Sequence, residues 1–260
     1  MLDAVILAGS SNEGPLRAVS DVRYEALLPI GEKIMVQYVV EALLGSSQIG
    51  RVFVVGPVNE LAPYLTEQRV TLIESRNGIM ENIEAGLLHA AQNSRVLLVT
   101  SDIPMLTTEA VDDFLAQCGD MSGDLYYPIV EKAVVESKYP AVKRTYVKLK
   151  DGVFTGGNLF LINPAIYKQC VDKGQKIISL RKSPLGLCRL MGLGFVLKFL
   201  LNTLTLKEAE EKACQLLGGI KGVAVVVSYP ELGVDVDKPA DLELAVQVLT
   251  PAGHNPGHNI

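Results

Sequence analysis

Three aspartates, at two places in the sequence, carry carboxylates of the type that can bind a divalent cation. Asp102 comes just after an aliphatic run, Val96–Val99, and stands two residues before Pro104. Asp235 and Asp237 are separated by one residue, so their carboxylates share a face if the chain is extended there. Such carboxylates can hold Mg²⁺ against phosphate oxygens. The alternatives are that Asp102 caps the turn before Pro104 and that Asp237 caps the following helix.

A loop of small residues, Gly9-Ser10-Ser11, follows a second aliphatic run at Ala4–Ala8. Backbone N–H groups that no side chain obstructs can cradle a phosphate. The loop matches neither the GxGxxG dinucleotide fingerprint nor the GxxxxGKS phosphate loop. Ligands of open α/β sheets bind at the carboxyl ends of strands, which is where this loop lies. An ordinary βα turn has the same composition.

Polar residues in the middle of the chain could contact a second ligand. Gly156 and Gly157 allow close backbone approach, and Asn158 can both donate and accept a hydrogen bond. Just upstream, Lys143 and Arg144 could bind an acceptor's phosphate or a leaving pyrophosphate. A tight turn and solvated strand charges are the alternatives.

The elements that must position these residues alternate along the chain. Runs of four or five mostly aliphatic residues, without regular alternation of polar and apolar residues, are typical of strands buried on both faces. Such runs occur at Ala4–Ala8, Val52–Val55, Val70–Ile73, Val96–Val99, Leu159–Ile162 and Val223–Val227. Helices are predicted at Val36–Leu44, Ile79–Ala91, Thr108–Cys118, from a Thr205/Glu208 capping box to Gly218, and at Asp237–Leu249. The alternation predicts an α/β fold of three layers, a mostly parallel sheet with helices on both faces.

A different pattern interrupts this succession of strands and helices. Polar and apolar residues alternate at Asp124–Ile129, Thr145–Lys150 and Val153–Phe154, with a turn at Asp151-Gly152. The pattern predicts a small antiparallel insertion near the sheet edge or over the site. We expect residues 1–250 to form one domain that carries a hydrophobic helical insertion at about 176–218, followed by a flexible tail at 251–260.

The order of the motifs resembles the MobA-like NTP transferase family, which shares the GT-A-type α/β fold with sugar-phosphate nucleotidylyltransferases. The resemblance covers roughly residues 3–180 and 223–249. It is carried by LAGS at Leu7–Ser10, EALLPIGEKIM at Glu25–Met35, the strand that ends at Asp102-Ile103-Pro104, the Gly156-Gly157-Asn158 segment, and DVDKPADL at Asp235–Leu242.

The resemblance implies a Mg²⁺-dependent nucleotidyltransferase and assigns roles to the motif residues. Asp102 and Asp237 are the implied metal ligands and catalytic carboxylates, with Asp235 as a third candidate ligand. The candidates for nucleotide binding are Leu7, Ala8, Gly9, Ser10, Asn82 and Ser101. The candidates for acceptor binding are Gly156, Gly157, Asn158, Lys143 and Arg144.

Two positions depart from the family pattern. The arginine of the family's loop is displaced here to Arg17, and the family's lysine before the Leu-Leu-Pro segment is Glu25. That lysine offsets triphosphate charge, whereas a glutamate would repel it. Arg17, Arg23 or Lys33 could supply the missing positive charge, and we take Arg17 and Lys33 as the candidate catalytic cations.

The expected reaction is transfer of a nucleoside monophosphate from an NTP to a phosphorylated sugar, polyol or molybdopterin-like acceptor, with release of pyrophosphate. One alternative is a GT-A glycosyltransferase that uses a nucleotide sugar. That enzyme needs an Asp-x-Asp pair at the end of a mid-chain strand, where only Asp102 stands. The other alternative, which Glu25 favours, is a nucleotide-binding module without turnover.

Residues 185–206 are unusually apolar, since 14 of the 22 are hydrophobic. Their two charges, Arg189 and Lys198, are nine residues apart, so they fall on opposite faces of a helix and leave no polar stripe. The segment could be a helix packed on the domain, a homodimer interface or a peripheral membrane contact.

Composition excludes several other classes. The mean hydropathy is +0.26 and 48% of residues are hydrophobic, which excludes a disordered chain. No stretch of roughly 18 residues is apolar without charge, so a membrane channel is not expected. The net charge of −5 lacks the basic footprint of a nucleic-acid binder. Four cysteines without zinc spacing favour reduced thiols in a cytoplasmic protein.

Overall fold

The computed structural model describes residues 1–90, 95–180 and 189–250. A mixed β-sheet forms the centre of this described part. Nine strands of this described part form the sheet, and two short strands form a separate antiparallel ribbon. In chain order the strands are β1 (Leu2–Leu7), β2 (Pro29–Ile30), β3 (Lys33–Ile34), β4 (Ile49–Gly56), β5 (Val70–Glu74), β6 (Val96–Thr100), β7 (Leu125–Glu131), β8 (Val147–Leu149), β9 (Gly152–Gly156), β10 (Leu159–Ile162) and β11 (Gly222–Val227), of which β2 and β3 form the ribbon.

The strand order is β5-β4-β1-β6-β10-β7-β9-β8, and β11 also pairs with β7. Strand β1 pairs in parallel with β4 and β6, β4 with β5, and β7 with β11. Strand β10 runs antiparallel between β6 and β7, with Leu159 opposite Val99 and Ile162 opposite Val96. The reversal of β10 therefore places its first residue at the edge where β1 and β6 end.

Strand β1 shows why the aliphatic runs form the centre of the sheet. Ala4 and Ile6 pack into one hydrophobic cluster and Val5 into another. Because successive side chains of a strand point to opposite faces, the two clusters lie on opposite faces of the sheet. All three side chains are fully buried. The prediction of a strand buried on both faces is confirmed for β1, whereas Thr71 of β5 and Val226 of β11 are exposed.

Helices cover both of these faces. They are α1 (Met35–Gly45), α2 (Val58–Leu61), α3 (Ile79–His89), α4 (Thr108–Gln117), α5 (Lys132–Lys138), α6 (Tyr167–Leu180), α7 (Leu193–Leu200), α8 (Leu206–Leu216) and α9 (Pro239–Leu249). Helices α1 and α4 contribute Val39 and Phe114 to the first cluster, whereas α3 contributes Ala85 and Leu87 to the second. The predicted three-layer α/β fold is therefore confirmed.

The predicted antiparallel part forms, and it is continuous with the main sheet. Strands β8 and β9 make a hairpin whose two turn residues are Lys150 and Asp151, one residue earlier than the predicted turn, and Gly152, which begins β9, has a φ of 155°. Strand β9 then pairs antiparallel with β7. Since β7 also has β11 as a parallel neighbour, the Asp124–Ile129 part of the pattern lies inside the sheet and not at its edge.

Helix α8 begins with the predicted capping box. The Glu208 N–H donates to Thr205 Oγ1 at 3.2 Å, and the Thr205 N–H donates to Glu208 Oε2 at 3.0 Å. Lys198 Nζ donates to Glu208 Oε1 at 2.5 Å. The hydrogen bond from Lys198, followed by those from Thr205, lowers the pKa of Glu208 from 4.5 to about 2.

We expect this carboxylate to contribute to acid stability. A carboxyl group with a lowered folded-state pKa stabilises the fold above its unfolded value of 4.5, and that contribution is lost as the pH falls toward 2. Glu208→Gln should therefore flatten the decline in the free energy of unfolding between these two pH values, measured by urea titrations. Glu211→Gln on the same helix is the matched control. Parallel pH profiles for the wild type and Glu208→Gln would contradict the prediction.

The structure describes residues 189–206 of the apolar segment, within which α7 covers Leu193–Leu200, whereas residues 185–188 lie outside the described residues. Leu193, Leu200 and Leu201 are 67–75% exposed. Phe195 packs from the same helix onto a small hydrophobic cluster around β7 and β9. No helix within the described ranges has the length and apolar character needed to cross a membrane. The predicted homodimer or membrane contact stays a prediction, and the predicted tail, 251–260, lies outside the described residues.

Candidate active site

The candidate residues from distant parts of the chain meet at the edge where β6 ends and β10 begins. The Thr100 N–H donates to the Asn158 carbonyl oxygen at 3.0 Å. The Val236 N–H donates to the Asp102 carbonyl oxygen at 2.8 Å. This second bond holds the segment after β11 across the end of β6, which places Asp235 and Asp237 beside Asp102.

The three predicted aspartates form one cluster. One carboxylate oxygen from each of Asp102, Asp235 and Asp237 lies within 4.8 Å of the others. The Thr100 Oγ1 donates to Asp102 Oδ1 at 2.5 Å and so fixes that carboxylate. Burial, with a further contribution from Asp237, raises the pKa of Asp102. Oxygen donors with unbalanced negative charge are the set that Mg²⁺ or another hard cation prefers, so these residues fit the predicted metal.

The alternative role of Asp237 as a helix cap is not what the structure shows. Lys238 occupies the position before α9, and no side chain caps that helix. The Asp237 N–H instead donates to Asp241 Oδ2 at 3.2 Å, so Asp241 holds the backbone of this turn. The Asp237 carboxylate is left exposed and faces the cluster.

Arg144 lies inside this cluster. Its Nη1 donates to Asp235 Oδ1, and both side chains are nearly buried, with 14% and 13% of their surface exposed. Its Nε is buried without a hydrogen-bond partner among the described residues. Arg144 therefore balances one of the three carboxylates. Its neighbour Lys143 is exposed, so the two cations proposed for the acceptor have different surroundings.

A cleft of about 370 Å³ opens beside the carboxylates, at the ends of β1 and β5. Four predicted nucleotide-binding residues line it, namely Leu7, Gly9, Ser10 and Asn82. The other two, Ala8 and Ser101, are buried beside it, and the Ser101 N–H donates to the Leu7 carbonyl oxygen at 3.2 Å. The predicted loop and helix start therefore come together around one space.

The close neighbours of Gly9 in this cleft leave little room for a side chain. A Cβ at this position would lie 3.0 Å from the Cβ of Ser75 and 3.2 Å from Asn82 Nδ2. Asn82 uses its Oδ1 to accept the Arg76 N–H at 2.6 Å, and its Nδ2 is directed at the Gly9 loop. The amide thus ties the loop after β5 to the cleft.

The loop after β5 is the part of the site that the sequence motifs missed. Arg76, Asn77 and Gly78 line the cleft, and Arg76 Nη1 also donates to Glu84 Oε2 at 3.0 Å. The rule that ligands bind at the carboxyl ends of parallel strands could have identified them, since β5 was predicted to end at Ile73.

Glu25 also lines the cleft, in the place of the family's lysine. Its N–H donates to the Ser10 carbonyl oxygen at 3.1 Å, so its backbone is fixed to the loop. Burial, followed by repulsion from Asp102 and Asp237, raises the pKa of Glu25. The cleft therefore carries extra negative charge next to the carboxylate cluster.

The two predicted catalytic cations have partners outside the cleft. Arg17 Nη1 donates to the Asp21 carbonyl oxygen at 2.6 Å within its own loop. Lys33 Nζ lies 2.6 Å from Glu41 Oε2 and over the Tyr38 ring. Neither lines the cleft as the structure has it, and their catalytic roles stay predictions.

The predicted acceptor segment lies at the turn between β9 and β10. A Cβ at Gly157 would lie 2.7 Å from Pro128 Cγ and 3.0 Å from the Leu232 carbonyl oxygen, so only glycine fits. A Cβ at Gly156 would overlap the Tyr127 hydroxyl. The Asn158 Nδ2 is buried without a partner among the described residues. An amide of this kind is a donor that a ligand could satisfy.

Comparisons with known proteins find a matching family and similar structures. The sequence profile of the MobA-like NTP transferase domain matches residues 4–171. A hypothetical transferase from Thermus thermophilus is 38% identical, with a TM-score of 0.82 over 93% of this chain and 99% of its own. A search of curated proteins finds no significant match.

Two less similar structures share the fold. The 2-C-methyl-D-erythritol 4-phosphate cytidylyltransferase of Francisella tularensis has a TM-score of 0.57 at 14% identity, over 96% of this chain and all of its own. A CMP:2-keto-3-deoxy-manno-octonic acid synthetase solved with CTP has a TM-score of 0.58 at 14% identity, over 95% and 98%. With its profile match over more than half of its length and its transferase relative, the chain belongs to the MobA-like NTP transferase family and is a nucleotidyltransferase.

Proposed function

We propose that the protein transfers a nucleoside monophosphate from an NTP to a phosphorylated small molecule and releases pyrophosphate. An acceptor phosphate oxygen attacks the α-phosphorus, the bond from that phosphorus to the bridging oxygen breaks, and the electron pair leaves with pyrophosphate. The observation that carries the proposal is the carboxylate cluster of Asp102, Asp235 and Asp237 beside the Gly9 cleft.

Each part of the site has a role in this proposal. The Gly9 loop and Asn82 hold the nucleotide, and Asp102 and Asp237 would hold Mg²⁺, which offsets the charge on the phosphates when bound. A phosphate nucleophile needs no general base, so positioning and electrostatic stabilisation suffice. Arg144 would bind the acceptor phosphate or pyrophosphate once a cation takes over its charge balance at Asp235.

The test is an incubation with Mg²⁺, a panel of NTPs and mixed phosphorylated sugars and polyols, with pyrophosphate as the readout. CTP belongs in the panel because a synthetase of similar fold was solved with it. Pyrophosphate that requires both an NTP and an acceptor supports transfer. NTP binding without pyrophosphate favours the non-catalytic module, and turnover of a nucleotide sugar favours the glycosyltransferase.

Glu25 stands where the family has a lysine, so a substitution at this position tests how the charge of the cleft affects NTP binding. Because its carboxylate adds negative charge to the cleft, Glu25→Gln should strengthen NTP binding about tenfold at low ionic strength. The measurement is calorimetric titration with NTP and Mg²⁺. Glu13→Gln, an exposed change nearby, is the control. Weaker NTP binding by Glu25→Gln would instead indicate that Glu25 helps to hold the cation.

A further inference from the structure

An apolar cavity adjoins the candidate active site. It measures about 330 Å³, within the range of small-ligand pockets, and it lies between the sheet and helices α3 and α6. Its lining is aliphatic, aromatic or sulfur-containing apart from Thr100 and Gly174. The cavity is partly open to solvent, and a concave apolar surface of this size is typical of sites that bind the apolar part of a small ligand.

The cavity adjoins the nucleotide cleft and the carboxylates. Leu7 and Ile79 line both the cavity and the cleft. Thr100 lines the cavity, while its Oγ1 donates to Asp102 Oδ1. A ligand whose phosphate lies near the carboxylates can therefore extend its remaining atoms into the cavity.

Another apolar cavity lies next to the first. This second cavity of about 200 Å³ shares Leu125, Leu217 and Ile220 with the first. The one carboxylate that borders it, on Glu210, accepts the Ala224 N–H at 2.7 Å and is satisfied. We call these two adjoining cavities the tract, and two neighbouring apolar spaces suit an extended chain better than a compact ring.

We propose that this tract binds a hydrocarbon chain, so that the acceptor is a phosphorylated lipid-like molecule, such as a long-chain alkyl or isoprenoid phosphate. The inference rests on the proposed nucleotidyl transfer for the role of the phosphate. The base of the NTP is not the occupant, because its polar edge would lose its hydrogen bonds in an apolar cavity. A sugar phosphate would lose those of its hydroxyl groups there for the same reason.

The test is calorimetric titration of the whole protein, in Mg²⁺ buffer, with ethyl, butyl, hexyl and octyl phosphate. Burial of each methylene should lower the Kd about fourfold until the tract is filled. Cys170→Trp fills the first cavity, since Cys170 is 91% buried there, and should remove this dependence on chain length. Ethyl phosphate and NTP should bind that variant as they bind the wild type.

Two further variants keep the test decisive. Ile166→Trp fills the same cavity from a half-buried position if Cys170→Trp does not fold. Leu88→Trp adds the same ring at an exposed position outside the cavity and should keep the dependence on chain length. Equal Kd values for all chain lengths in the wild type, or an unchanged dependence in the filled variant, would overturn the proposal.

The result of the alkyl phosphate titration can be told apart from the result of the pyrophosphate assay that tests the proposed function. Chain-length dependence without pyrophosphate from any NTP, when the alkyl phosphates are also supplied as acceptors, supports the apolar site and overturns the transfer reaction. Pyrophosphate from polar acceptors without chain-length dependence supports the transfer reaction and overturns the lipid-like acceptor.

Discussion

Asp102→Asn is expected to lower the rate of pyrophosphate release about a thousandfold, the largest effect on activity of any change in the site. The substitution keeps the shape of the side chain and its Thr100 contact, but it removes the negative charge nearest the end of β6. Without that charge the cation loses an anchor beside the phosphates. The measurement is steady-state release of pyrophosphate at saturating NTP, Mg²⁺ and acceptor.

Stability separates loss of function from loss of fold in this experiment. Burial and Asp237 both disfavour the charged form of Asp102, so the metal-free Asn variant should unfold at no lower temperature than the wild type. Asp172→Asn, an exposed change on α6, should leave the rate unchanged. Activity of Asp102→Asn within tenfold of the wild type would show that Asp102 is not a metal ligand.

Arg144→Met is expected to destabilise the metal-free protein by about 3 kcal/mol. Both Arg144 and Asp235 are nearly buried, so the substitution leaves the Asp235 carboxylate without a counter-charge next to Asp102 and Asp237. The free energy of unfolding in urea, measured in the presence of a chelator, gives the effect. Adding Mg²⁺ should recover part of it, because the cation supplies the missing positive charge.

The double variant Arg144→Met/Asp235→Asn tests the assignment of this effect to the pair. Removing both charges should restore most of the stability that Arg144→Met loses. Lys143→Met, at the exposed neighbouring position, should change the stability by no more than about 0.5 kcal/mol. If the double variant is as unstable as Arg144→Met, the loss comes from packing of the arginine stem and not from Asp235.

The parts of the fold that depend on local patterns could be predicted from the sequence. Val52–Val55 lies within β4, and Thr205 with Glu208 begins α8, because burial on both faces and helix capping are properties of neighbouring residues. The Asp102 and Asp237 pairing was predicted through the family resemblance, and the 4.8 Å cluster agrees with it.

Contacts between distant side chains could not be predicted in this way. Nothing local in Lys143-Arg144 indicates that the second cation contacts Asp235, since that contact depends on how the loop after α5 crosses the sheet. Lys33 contacts Glu41 because the β2–β3 ribbon lies against α1, which its motif does not encode. Neither sequence pattern specifies which distant residue the charged end of a long side chain contacts.

The bond from Val236 to Asp102 also has a consequence for the order in which the protein matures. On the ribosome, the Gly9 loop and Asn82 emerge long before Asp235 and Asp237, which follow Asp102 by more than 130 residues. A nascent chain can therefore assemble much of the nucleotide cleft while it still lacks two of its three carboxylates. Under the proposed metal role of these carboxylates, metal capture would have to wait until β11 has joined β7 and the segment after it has crossed the end of β6.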